Sequence, residues 1–109
     1  MSTIENDRYD IRSVKIRDHK DAMHCHRGFP LGNPFEMNGD ESKRDEVCDK
    51  YEEYFQKKVA EEDPAIMSGL AQCVKYAIEN GYVKLGCFCH PKRCHTNTIV
   101  RYLEGVLNP

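Results

Sequence analysis

Between Cys87 and His95 the chain reads CFCHPKRCH, placing three of its six cysteines and two of its five histidines within nine consecutive positions. Sulfur and imidazole at this density have three uses. The first is a metal site. Three thiolates with His95, with His90 or with a residue of the His24-Cys25-His26 triplet match zinc's tetrahedral preference for nitrogen and sulfur, and the set in this stretch is Cys87, Cys89, Cys94 and His95. Its C-x-C-x4-C-H spacing is not that of a standard zinc knuckle, and adjacent residues make awkward joint ligands. The second use is a reactive thiol. Cys94 opens a helix and follows Lys92 and Arg93, so the helix dipole and two cations favour its thiolate, with His95 or His90 as base. The third is structural, because cysteine is among the most often buried residues. Cys48 and Cys73, at core-like spacing on helices, are read that way, and His19 as exposed.

A second stretch, RGFPLGNPF from Arg27 to Phe35, has the residue types of a ligand loop. Gly28 and Gly32 let a backbone approach a ligand closely. Arg27 suits bidentate contact with phosphate or carboxylate, and the Asn33 amide can read a base or sugar edge. The competing reading is a rigid turn that packs Phe29, Leu31 and Phe35 on the core. The balance moves toward a site if the loop faces the helix start, where the N–H groups of His95, Thr96 and Asn97 attract anions.

The elements that must position these residues follow from periodicity. Ile11 to Ile16 is β-branched and alternating, a first strand; Ala22 to His26 is a short second strand expected to pair with it. Asp40 or Ser42 caps a helix running to about Ala60, with Val47, Tyr51, Tyr54, Phe55 and Val59 at helical spacing and Lys57 and Lys58 at its end. A second helix begins after Asp63 with Pro64 in its first turn and stops at Gly81, burying Ile66, Leu70, Val74 and Ile78. Tyr82 to Cys89 is a buried strand. On it Cys87 and Cys89 share a face and Phe88 points away, and the chain then folds Cys94 back over the strand's carboxyl end. A third helix spans about His95 to Leu107, with Ile99, Leu103, Val106 and Leu107 inward. The order β(β)ααβα predicts a small α/β sandwich, a two- to three-stranded, mostly parallel sheet covered by helices. Ligands commonly bind at the carboxyl edge of such sheets.

Length and composition bound the function. A chain of 109 residues with 39 % hydrophobic and 31 % charged residues is expected to form one soluble domain over 1–109, with residues 1–8 loose. No apolar run is long enough to span a bilayer, and the amino terminus lacks the pattern of a signal peptide. A cytoplasmic protein with reduced cysteines is expected, which disfavours a disulfide framework. A net charge of −2 gives no broad reason to bind nucleic acid or an anionic membrane, and the short basic run HPKR makes nucleic acid the least favoured partner. A two- or three-stranded sheet leaves edges open to a second copy or another protein.

Together, RGFPLGNPF and LGCFCHPKRCHTNTI resemble the signature of the domain of unknown function 4326, a small family of phages and bacteria. The helix carrying Tyr51 and Tyr54 is similar to the family's tyrosine-containing helix. The likeness extends over about residues 11 to 107. The first family motif, R-G-S-P-L-G-N-P-F, is matched except that Phe29 replaces a small hydroxyl residue. The second, C-W-C-x-P-x-x-C-H-G-D, is matched at Cys87, Cys89, Pro91, Cys94 and His95. Phe88 stands where the family has Trp, and Thr96-Asn97 where it has Gly-Asp, so the usual carboxylate after His95 is missing. The resemblance implies a compact α/β domain of phage type, in the host cytoplasm if phage-encoded, and a fold-level analogy to nucleotide-handling proteins; it implies no established reaction. The expectation is therefore one polar pocket for a small anionic ligand, a nucleotide or its derivative. Arg27, Gly28, Gly32, Asn33, Thr96 and Asn97 would bind it, and Cys94 and His95 would react. The alternative is a zinc-stabilised structural module or a module that binds a host protein.

Overall fold

The computed structural model describes residues 8–25, 30–35, 39–87 and 92–109. Along these the elements run β1 (Asp10–Lys15), β2 (Met23–His24), α1 (Arg44–Ala60), α2 (Pro64–Asn80), β3 (Tyr82–Cys87) and α3 (Thr96–Leu107), the expected order. The sheet is three-stranded, with β3 in the centre and both neighbours parallel to it.

The pairing of β2 departs from the sequence reading: it joins β3, not β1. The reason lies at Gly86. The connector from β1 to β2 crosses β3 there, and a Cβ on Gly86 would stand 2.7 Å from Ile16 Cδ1 and 3.0 Å from Ala22 Cβ. Only a residue without a side chain lets the connector pass this close. The crossing carries the chain from one side of β3 to the other, so consecutive strands end up on opposite flanks. On the far side of the connector, Asp21 takes hydrogen bonds from the Tyr82 hydroxyl (2.7 Å) and the Lys84 amine (3.3 Å), pinning the crossing down.

Strand alternation puts Ile11, Val83 and Leu85 on one face. All three helices contribute to the same core cluster with them, through Tyr51 and Phe55, Ile66, Leu70, Cys73 and Ala77, and Ile99 and Leu103. The helices therefore cover one face, a two-layer α/β sandwich. Phe55, Ile66, Leu85, Ile99 and Leu103 are fully buried, each stabilising the fold by about 1.5–3 kcal/mol through apolar transfer. Asp40 accepts from Ser42 N to cap a 3-10 turn (Glu41–Lys43) that leads into α1. The Asp63 carboxylate accepts from Ile66 N at 3.1 Å at the start of α2, and Gly81 closes that helix at φ 86°.

The inward stripes are narrower than the spacing predicts. In α2 the buried line is Ile66, Leu70, Cys73 and Ala77, which leaves Val74 half-buried and Ile78 60 % exposed. In α3 it ends at Leu103, with Val106 48 % exposed. The three-stranded sheet is too small to cover the last turns of both helices. Among the described residues, no helix is long and apolar enough to cross a membrane.

Candidate functional site

Cys87 ends β3, and Cys94 and His95 lead directly into α3. The chain folds back as the residue pattern requires, bringing Cys94 Sγ to 2.7 Å from Cys87 Sγ. His95 Nδ1 lies 3.3 Å from Cys94 Sγ, and its Nε2 is 2.5 Å from the carbonyl oxygen of Cys25. A carbonyl only accepts, so Nε2 carries the hydrogen in the neutral ring and Nδ1 presents its lone pair to the Cys94 thiol. Cys25 is itself fixed, its N–H donating to Gly86 O at 3.0 Å. Proton acceptor, thiol and orienting carbonyl thus form one chain at the carboxyl end of the sheet.

The imidazole packs against Tyr51, the two rings inclined at 65° with centroids 4.9 Å apart. The Tyr51 hydroxyl donates to Leu31 O at 3.0 Å, so the glycine–proline loop and the Cys–His stretch converge on one side chain. Burial pushes the Tyr51 phenol far above its usual range, which keeps it a donor. Beside Cys87, Thr96 Oγ1 is 4.0 Å from the sulfur and 2.6 Å from Ser13 Oγ. Cys87, Cys94, His95 and Thr96 are all buried.

Arg27, Gly28 and Cys89 lie outside the described residues, as do His26, Phe29, Phe88, His90 and Pro91. Gly32 is buried near this junction, and Asn33 is half-buried with its side-chain oxygen accepting from Phe35 N at 2.9 Å. Asn97 is exposed, and its N–H donates to Cys94 O at 3.0 Å while Thr98 N–H donates to His95 O. These bonds tighten the first turn of α3 and engage the Asn97 amide, one of the three expected to attract an anion. His24 is exposed on β2, and His19 is half-buried.

The two cations before Cys94 face away from the thiol. Lys92 pairs with Glu41, and Arg93 bridges Asp45 and Asp49 on α1 at 3.0 and 2.8 Å. Arg44 adds a hydrogen bond to Arg93 O at 3.0 Å. They clamp the segment before Cys94 onto α1 rather than supplying charge to the sulfur. Lys15, which the residue pattern does not single out, is register-paired with Cys87 and on the same face of the sheet. Strand register, which has no local signal, places it there.

Cys87, Cys94 and His95 are three of the four zinc ligands that the pattern allows. Among the described residues, no group of three histidine, cysteine or acidic side chains is arranged around a common ion position.

No curated protein matches the chain, and neither does any solved structure. The family model of a domain of unknown function, DUF4326, matches residues 10–105, nearly the whole length and both motifs. The chain belongs to the DUF4326 family.

Proposed function

We propose that the carboxyl end of the sheet binds a small anionic ligand, a nucleotide or nucleotide derivative, with Cys94 and His95 as its reactive pair. One observation carries this reading: the Cys94 thiol faces His95 Nδ1 at 3.3 Å while Nε2 is tied to the Cys25 carbonyl. A thiol beside a base that a third group orients is the arrangement of an activated nucleophile. It stands at the edge where open α/β sheets take ligands. Arg27, Lys15, Thr96 and the start of α3 would hold the phosphate. Gly28 and Gly32 would allow close backbone approach, the Asn33 amide and Asn97 would orient the remainder, and the setting would be a cytoplasm in which thiols stay reduced. Nucleophilic or acid–base chemistry on a glycosidic or phosphoryl centre fits the pair.

Thermal melting of the purified protein with AMP, ATP, NAD and ADP-ribose, each against inorganic phosphate, tests the reading. A ligand at ten times its Kd adds about 1.4 kcal/mol, which raises Tm by roughly 5 °C in a domain of this size. A nucleotide that produces this shift while phosphate does not is the expected result. No shift with any of them overturns the reading.

A second reading is favoured by His95 alone. Metal-bound histidines commonly anchor their second nitrogen to a carbonyl, as Nε2 does here, leaving Nδ1 to join Cys87, Cys89 and Cys94 on a zinc ion. Two sulfurs on one tetrahedral zinc stand about 3.8 Å apart. Cys87 and Cys94 are closer, at 2.7 Å, which puts the metal second. Metal analysis of the purified protein that finds one zinc per chain would reverse the order.

A further inference from the structure

We propose that Cys87 and Cys94 are a redox pair that hydrogen peroxide converts to a disulfide. The proposal shares the Cys94–His95 contact with the ligand reading but needs no nucleotide. Its ground is the 2.7 Å separation of the two sulfurs. A covalent S–S bond is about 2.04 Å, so a closing movement of roughly 0.7 Å joins them. A side-chain adjustment supplies that distance without rearranging β3 or α3. The two residues lie seven positions apart, yet one ends a strand and the other leads into the packed helix, so the fold sets the approach.

The surroundings fit the chemistry of each sulfur. His95 Nδ1 at 3.3 Å takes the Cys94 proton. The thiolate attacks one oxygen of the peroxide, and the O–O bond breaks. The departing hydroxide takes the proton from the imidazole and leaves as water, and Cys94 becomes a sulfenic acid. The Cys87 sulfur then attacks the Cys94 sulfur, the S–OH bond breaks, and the Cys87 proton leaves with the hydroxide as a second water. Two thiols and one peroxide thus give one disulfide and two waters. Thr96 Oγ1, 4.0 Å from Cys87 Sγ, lies on the side of the resolving sulfur. The oxidant must be small, because Cys87 is 2 % and Cys94 3 % exposed. Peroxide reaches sulfurs that a peptide or glutathione disulfide is too bulky to enter. Cys25 and Cys73 are fully buried, and burial raises both thiols, Cys73 to about 11, so they stay protonated and inert.

The test treats chelator-washed wild-type protein with a small excess of hydrogen peroxide and blocks remaining thiols. Non-reduced tryptic peptides are then sequenced by fragmentation. Trypsin cuts after Lys92 and Arg93, so the bond appears as a link between a peptide carrying Cys87 and Cys89 and one carrying Cys94. The expected product is about 2 Da lighter than the reduced chain and returns to it with dithiothreitol, with fragments that locate the link at Cys87. His95→Gln is expected to slow its formation at least tenfold while leaving the same link at completion. A link at Cys89, a Cys94 sulfinic acid without a link, or no oxidation overturns the proposal. Because the wild-type protein carries the answer, a Cys87→Ser variant that fails to fold does not blunt it. A peroxide-formed link in protein that shows no nucleotide shift removes the ligand reading and leaves this one standing.

Discussion

Tyr51 donates its buried hydroxyl to the backbone carbonyl of Leu31 at 3.0 Å, tying the glycine–proline loop to the helix whose same side chain supports His95. Phenylalanine keeps the ring and strands that carbonyl. We expect Tyr51→Phe to lower stability by about 1–3 kcal/mol, the cost of a buried acceptor left unpaired. Urea unfolding measures the loss. Amide exchange in residues 30–35 is expected to quicken more than exchange in α3.

Gly86→Ala acts from the opposite face. Its new methyl would meet Ile16 Cδ1 at 2.7 Å and the Ala22 methyl at 3.0 Å, so the connector must shift. Overpacking of this kind costs about 1–3 kcal/mol. The Gly86 carbonyl also receives Cys25 N–H, so the movement reaches the acceptor of His95. We expect the imidazole's NMR signals to change although the substitution does not touch the ring.

Acid removes a contact on the open face. The Tyr82 hydroxyl, then the Lys84 amine, hold the Asp21 carboxyl below its unfolded value of 3.8. Because the folded value is the lower one, the stabilisation is complete above pH 3.8 and is lost as pH falls through the folded value. Melting curves from pH 6 to pH 2 should show a smaller decline for Asp21→Asn than for the wild type, the difference being confined to the acid end.

Alkali tests the core in the other direction. Burial raises the Cys73 thiol from 9.0 to about 11. A raised thiol keeps its stabilising effect fully below pH 9 and loses it progressively toward pH 11, because the unfolded chain gives up its proton first. Cys73→Ala should flatten this part of the stability profile, read from urea midpoints between pH 8 and pH 10.5. It should also lower the midpoint at pH 8 through lost packing.

The sequence pattern carried the helices and the α/β order because their signals are local. Asp63-Pro64 and Gly81 bracket α2 as read, and Cys94 returns to the Cys87 end of β3 as read. What eluded it was set by partners far along the chain. A two-residue β2 has too few positions to declare its neighbour, and a bare glycine in β3 gives no sign that a connector will cross it. Tyr51 looked like one more member of an apolar stripe, since a helical spacing does not show where its hydroxyl leads. Nearness in sequence points Lys92 and Arg93 at the adjacent thiol, whereas three acidic side chains on the α1 side claim them in space.

The imidazole of His95 is steered by a main-chain oxygen, and that choice shapes how the site can evolve. No codon change at position 25 deletes the acceptor, so a substitution there costs core packing while the tautomer stays put. Scanning mutagenesis at this position reads the packing of a buried thiol and misses the anchor. Its vulnerability lies instead in whatever moves the ribbon itself, which makes the smallest residue of the central strand a more sensitive control point than the cysteine that provides the oxygen.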